Sequence, residues 1–132
     1  MNDPLTTARE RIVLLLDDNP LVLKLARALL EREGIQVVST SNWGEFGQAM
    51  IATPPDMILM DVNMPSISGN RLTEILKTNP KKALIPVVLM SDMPEETLAQ
   101  IAQKAGADAW VRKPLTREKL ALVLDRLLRK KV

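Results

Sequence analysis

The sequence predicts a doubly wound α/β domain, a parallel sheet covered by helices on both faces. Five short apolar runs of strand length alternate with five stretches of helical periodicity. Alternation of this kind requires crossovers that lay helices over a parallel sheet. The strand candidates also read as continuous apolar runs rather than alternating ones, as in Ile12-Val13-Leu14-Leu15-Leu16, the pattern of a strand buried on both sides. With 132 residues, 46% of them hydrophobic, the chain is one domain's worth and can bury a real core.

Residues 1–10 read as a polar lead and residues 11–130 as a single domain. The first strand runs from Arg11 to Leu16 and is closed by Asp17 and Asp18. Asn19-Pro20 then opens a helix with a capping side chain followed by Pro at the first helical position. Leu21, Leu25, Ala28 and Leu29 recur at helical spacing up to Gly34, the stripe by which a helix faces a core. Ile35 to Ser39 is the second strand, and Asn42 with Glu45 three residues on forms a capping pair opening a helix to about Ala52. Thr53-Pro54-Pro55 breaks that helix and leads into the third strand, Met57 to Asp61. Turn residues follow at once: Asn63, Pro65, Ser66, Ser68 and Gly69. The third helix, Arg71 to Thr78, places Leu72, Ile75 and Leu76 on one face, and Asn79-Pro80-Lys81-Lys82 forms a charged loop. Ile85 to Met90 is the fourth strand, with Pro86 tolerable near its start. Ser91-Asp92 ends it. Pro94-Glu95-Glu96 opens a helix carrying Leu98, Ile101, Ala102 and Ala105 inward until Gly106 stops it. Ala107 to Arg112 is the fifth strand, Lys113-Pro114 follows, and Thr116 caps a last helix with Leu120, Val123, Leu127 and Leu128 inward and a basic end.

Composition removes whole classes of function. The chain has no Cys, which excludes disulfides, thiolate metal sites and cysteine nucleophiles. It has no His, which excludes imidazole catalysis and any role as a phosphohistidine carrier. Carboxylates, lysines and hydroxyls are left to do the chemistry. With 18 basic and 16 acidic residues the net charge is only +2, so the pI near 9.1 is no argument for direct nucleic-acid binding. No run approaches the roughly 20 apolar residues of a membrane span, and the first ten residues lack a signal peptide's apolar core. The expectation is a cytoplasmic protein without a membrane partner.

Ligands of open α/β sheets bind at the carboxyl ends of the strands, and right-handed crossovers put Asp17, Asp18, Asp61, Ser91 and Lys113 on that one rim. Three converging carboxylates repel one another unless a cation intervenes. Mg²⁺ answers that need, because it prefers oxygen ligands and keeps several waters. Lys113 adds a second positive charge and Ser91 a hydroxyl donor. Around one carboxylate, these groups suit the equatorial oxygens of a phosphoryl group in transfer. Asp61 is then the nucleophile, forming an aspartyl phosphate.

Asp17-Asp18 after the first strand, Met60-Asp61-Val62-Asn63-Met64-Pro65 with Gly69 beyond, Ser91 ending the fourth strand, and Gly106-Ala107-Asp108-Ala109-Trp110-Val111-Arg112-Lys113-Pro114 resemble the receiver domain of two-component response regulators, CheY-like in type. The resemblance runs from about Arg11 to Arg129. It implies a flavodoxin-like sheet of order 2-1-3-4-5. It implies that Asp61 accepts a phosphoryl group from the phosphohistidine of a histidine kinase or phosphotransfer protein. By the same resemblance Asp17 and Asp18 hold Mg²⁺ with Asp61 and the main-chain carbonyl of Asn63, Asp18 being the more direct ligand of the pair. Lys113 pairs with the phosphoryl oxygens before a cis bond to Pro114. Ser91 and Trp110 take the positions of the switch hydroxyl and the switch aromatic, and Asn63 and Met93 flank the water that removes the phosphate.

Two residues depart from the family pattern. Trp110 stands where Tyr or Phe is usual, so a larger ring must turn inward. Asp92 stands where a small residue is usual, and its charge either weakens phosphoryl binding or shapes a partner surface. Each site residue also has a plainer reading. Asp17 and Asp18 would cap the first helix, Asp61 begin a turn, Ser91 cap the fourth helix, Lys113 be solvated and Trp110 simply pack. The main expectation is a phosphorylated switch, not a conventional enzyme, presenting the face of the fourth helix, fifth strand and fifth helix to a target protein, or pairing as a phosphorylation-dependent homodimer. One alternative is a phosphorylation-independent adaptor, resting on Trp110 and Asp92. A haloacid-dehalogenase-like phosphatase also uses a strand-end Asp with Mg²⁺, but it wants a second Asp where this chain has Asn63.

Overall fold

A computed structural model describes residues 10–129. The expected polar lead, except Glu10, and the basic Lys130 and Lys131 lie outside the described residues. The apolar runs form strands β1 (Ile12–Leu16), β2 (Gln36–Thr40), β3 (Met57–Asp61), β4 (Val87–Ser91) and β5 (Ala109–Arg112). Between and after them come α1 (Pro20–Arg32), α2 (Trp43–Ala52), α3 (Gly69–Lys77), α4 (Glu95–Ala105) and α5 (Arg117–Leu127), with a short 3-10 turn over Lys82–Leu84. All neighbouring strands are parallel, in the order β2-β1-β3-β4-β5. That is the doubly wound flavodoxin-like order.

Strand residues alternate between two cores because successive side chains point to opposite faces. Val13, Leu15, Met57, Leu59, Val88 and Met90 meet Ala26 and Leu30 of α1 and Leu120, Val123 and Leu124 of α5. Leu14, Leu16, Ile58, Met60, Val87 and Leu89 meet Phe46 of α2, Leu76 of α3, and Leu98 and Ala102 of α4. On the first face, Glu33 at the end of α1 accepts from Arg129 at 2.9 Å and from Arg117 at 3.1 Å, tying α1 to both ends of α5. These guanidiniums hold the Glu33 carboxyl below the ordinary carboxylate range.

The register decides where the site lies. Leu16 pairs with Met60, Asp61 with Met90, and Ser91 with Arg112. Asp17, Asp61, Ser91 and Lys113 therefore emerge along one rim of the sheet.

Several boundaries and two helix faces differ from the sequence reading. In α1 the buried residues are Ala26 and Leu30, with Val22, Leu23 and Leu29 partly buried, whereas Leu21 is 75% exposed and Leu25 43%. The helix is apolar around most of its circumference, so spacing alone does not choose the stripe; small Ala26 allows the close approach to the sheet. In α3, Thr73 is buried and Ile75 is exposed. Thr73 enters the core because its hydroxyl is satisfied by the Gly69 carbonyl at 2.8 Å. Helix α3 begins at Gly69 rather than Arg71, with Ser68 as its cap. Strand β4 starts only after Pro86, and β5 only at Ala109, because the Ala107 amide is still bonded to Ala102 at the end of α4. The expected Asn42–Glu45 pair forms, with Asn42 Oδ1 accepting the Glu45 amide at 2.9 Å, while the Glu45 carboxylate reaches one residue further back to the Ser41 amide at 2.8 Å.

These burial assignments separate two leucines of one helix. Leu30→Ala is expected to lower unfolding free energy by about 2–5 kcal/mol, and Leu21→Ala to change it by less than about 0.5 kcal/mol. Urea denaturation of both variants checks this.

Candidate functional site

Each site residue is delivered by a strand end. Asp17 directly follows β1 and is fully buried. Its amide donates to the Thr40 carbonyl at 3.2 Å, continuing the β1–β2 pairing by one step. One carboxylate oxygen accepts the Asn19 amide at 2.9 Å, and the other accepts Lys113 Nζ at 2.9 Å. Capping of α1 falls to Asn19, whose side chain accepts the Leu21 amide at 2.9 Å. The Asp17 carboxylate is thus committed to the rim, and Asp18 beside it is exposed.

Asp61 ends β3 and is 5% exposed. Lys113 Nζ lies 3.5 Å from its Oδ1. Burial and the Asp17 charge push the Asp61 carboxyl above the ordinary carboxylate range, while Lys113 and the Asn63 amide pull the other way. Burial opposes the Lys113 charge, yet its bond to Asp17 and the fields of Asp61 and Asp17 hold the ammonium above the ordinary lysine value. Asp17, Asp18 and Asp61 each offer an oxygen such that all three atoms lie within 4.8 Å of one another. One ammonium against three carboxylates leaves the cluster negative and its donors all oxygen. Such a set fits a hard divalent cation.

Lys113 follows β5; its amide donates to the Ser91 carbonyl at 2.8 Å, and its bond to Pro114 is cis. Ser91 ends β4, is 1% exposed, and accepts the Met93 amide on Oγ at 3.1 Å. It does not cap α4, whose N-cap is Pro94 with no side-chain bond. Asn63 is exposed two residues beyond Asp61, and Asp92 is exposed beside Ser91. Trp110 is half-buried against the core shared with Leu98 and Ala102.

Three residues that the sequence reading left out of the site shape its surroundings. A Cβ on Gly69 would lie 2.2 Å from the Asp61 carbonyl oxygen, so only glycine lets α3 start against the Asp61 backbone. In the sequence Gly69 is legible as a turn residue and as part of the motif that carries the resemblance, but not as a close approach to Asp61. Arg112 Nε donates to the Met93 carbonyl at 2.9 Å, and Trp43 Nε1 to the Pro65 carbonyl at 3.0 Å. No sequence spacing signals either contact.

The model of a family described as the response regulator receiver domain matches residues 13–125. Among curated proteins, PilH of Pseudomonas aeruginosa is 29% identical over 116 residues, covering 88% of this chain and 96% of PilH. The polar-differentiation response regulator DivK of Brucella anthropi is 31% identical over 104 residues, covering 79% and 85%. Among solved structures, the receiver domain of the sensor histidine kinase PA1611 from Pseudomonas aeruginosa, described with a magnesium ion coordinated in the active site cleft, superposes with a TM-score of 0.80. It is 21% identical and covers 92% of this chain and 100% of that one, a likeness of fold.

Two substitutions probe the site without a donor. Gly69→Ala is expected to cost about 1–3 kcal/mol of stability by overpacking, read by urea denaturation. Asp61→Asn removes a carboxylate held in an unfavourable ionised state. Above the raised pKa of Asp61 the variant is expected to be more stable than the metal-free parent. That gain fades as pH falls through the same pKa, because the parent's carboxylate then protonates. Denaturation with EDTA across pH 4–8 checks the sign.

Proposed function

This chain belongs to the response regulator receiver domain family, and we propose that Asp61 is its phosphoacceptor in a Mg²⁺-dependent switch. The observation that carries the reading is the Lys113 ammonium set between Asp17 and Asp61 at distances of 2.9 and 3.5 Å. The chain lacks the histidine it would need to supply its own phosphohistidine. Family membership points to a histidine kinase or phosphotransfer protein as the donor, and the absence of His is consistent with that. An Asp61 carboxylate oxygen attacks phosphorus, the bond from phosphorus to the donor's imidazole nitrogen breaks, and that nitrogen leaves as a neutral ring after taking a proton from solvent. Asp17, Asp18, Asp61 and the Asn63 main-chain carbonyl would hold the Mg²⁺, which when bound supplies charge neutralisation for the phosphoryl oxygens. Lys113 orients a second phosphoryl oxygen. The Ser91 Oγ accepts from Met93 and keeps its own O–H free to donate to a third.

Residues 11–130 act as the receiver unit, and the phosphate leaves by hydrolysis at a rate that Asn63 and Met93 set. The target-binding face is α4, β5 and α5. There a groove of about 390 Å³ is lined by Glu95, Trp110, Arg112, Lys119, Leu122 and Arg126, with Leu122 71% exposed. Among the described residues the side chains of Arg112 and Lys119 bond only neutral carbonyls, so the groove is cationic with an apolar wall. An acidic, leucine-bearing target segment complements it, and an activated second copy would use the same face. Among the described residues no helix is long and apolar enough to cross a membrane, in keeping with a cytoplasmic switch.

Intact mass after incubation with Mg²⁺ and acetyl phosphate tests the chemistry. The expected result is one added phosphoryl group, absent with EDTA and absent in Asp61→Asn. Lys113→Ala is expected to slow labelling on the order of a hundredfold. No addition under conditions that label a known receiver would favour the phosphorylation-independent adaptor.

A further inference from the structure

Trp43 opens α2, on the far side of a loop from the phosphoacceptor, and its ring is anchored. It stands edge-on to Phe46 with centroids 5.9 Å apart and planes at 82°, and Phe46 is buried in the core under α2, α3 and α4. From that footing the indole N–H reaches across 22 residues of sequence to donate to the Pro65 carbonyl at 3.0 Å.

The same carbonyl accepts the Ile67 amide at 2.8 Å. A bond from residue 67 to residue 65 closes a three-residue turn about Ser66, whose φ is +73°. Such a turn is strained for any residue but glycine and persists only where its surroundings hold it. The loop is fixed elsewhere as well. Gly69 donates to the Val62 carbonyl at 2.9 Å, and its missing Cβ lets α3 abut Asp61. Between that clamp and the strained turn lie Asn63 and Met64. The Met64 amide on the Val62 carbonyl at 3.2 Å closes an adjoining turn about Asn63, so a shift of Pro65 is passed to the Asn63 carbonyl through that second turn.

We propose that Trp43 is a positioning residue for the phosphoacceptor loop: its indole bond to Pro65 holds the strained turn at Ser66 and so fixes the backbone that carries the Asn63 carbonyl, the ligand the Mg²⁺ reading requires. The inference rests on the Mg²⁺ reading of that cluster for its functional consequence, and on the turn alone for its structural one.

The test uses the full chain and measures both. Trp43→Phe keeps the edge contact with Phe46 and removes the donor. Calorimetric titration with MgCl₂ is expected to show affinity weakened about 3- to 10-fold. Labelling by acetyl phosphate should fall at subsaturating Mg²⁺ and recover at saturation. In metal-free protein the Ile67 amide should exchange with deuterium faster than in the parent. Adding Ser66→Gly, which removes the strain, should restore most of the lost affinity. Unchanged Ile67 exchange overturns the proposal, as does a Trp43→Phe loss that Ser66→Gly leaves intact. If the parent binds no Mg²⁺, the metal reading fails while the exchange result still decides whether Trp43 holds the turn.

A second variant guards against misfolding of the first. The chain has two Trp and no Tyr, so a Trp110→Phe background isolates the Trp43 emission. There Ser66→Val, which cannot adopt the turn cheaply, is expected to red-shift that emission. An unmoved spectrum overturns the proposal.

Discussion

Lys113 Nζ sits 2.9 Å from a fully buried Asp17 and 3.5 Å from Asp61, and the rest of the rim is organised by that contact. Two carboxylates brought this close, with no cation, would relieve their repulsion by protonating one of the pair. A protonated acid is neither a metal ligand nor a nucleophile. The lysine prevents that outcome, though only in part, since Asp61 stays above the ordinary carboxylate range. The cation also comes from β5, an edge strand, whereas Asp17 follows β1 near the middle of the sheet. The long, flexible stem of lysine spans that gap as a shorter side chain would not. The site therefore exists only when the whole sheet has formed.

The strand ends are also joined through their backbones. Lys113 donates its amide to Ser91, Met93 donates to the Ser91 hydroxyl, and Arg112 holds the Met93 carbonyl. Arg112 lines the groove beside Trp110 and Leu122. A hydroxyl drawn toward a phosphoryl oxygen would pull on the Met93 amide, and the loop that feels the pull is the one Arg112 grips. Under the proposed function, this gives the site and the groove a shared, continuous set of contacts, distinct from the ring motion expected of Trp110. Whether the larger indole turns or stays, Arg112 offers a second route between the two.

The fold and the polar site residues were legible in the sequence for a simple reason: each is announced by a transition. Asp17, Asp61, Ser91 and Lys113 stand where an apolar run gives way to polar or turn residues, and the strand-end rule places such residues together. The face of α1 was not legible, because Leu21, Leu25, Ala28 and Leu29 form as good a stripe as the one through Ala26 and Leu30. Only packing against β1 and α5 selects between them. Thr73 entered the core on the strength of a local bond to Gly69 that hydropathy does not record. Gly69, Arg112 and Trp43 were missed because their roles are backbone approach, carbonyl capture and a bond across 22 residues. These are properties of the closed fold, and no pattern of neighbours along the chain encodes them.

Charge explains why a site of this composition suits a switch. Three carboxylates against one ammonium leave two negative charges, and a divalent cation would bring the cluster to neutrality. Converting Asp61 to an aspartyl phosphate then adds about one further negative charge, since a phosphoryl group carries close to two. Lys113, bonded to Asp17 and 3.5 Å from Asp61, has a further N–H with which to meet that charge. The Ser91 hydroxyl, which accepts from Met93 and keeps its own O–H, and the backbone amides of the surrounding loops are further groups that can answer the new charge. Under the proposed function, a site balanced near neutrality before the transfer carries added negative charge after it, and the contacts that answer that charge from β4's end and the following loop are what a partner can read.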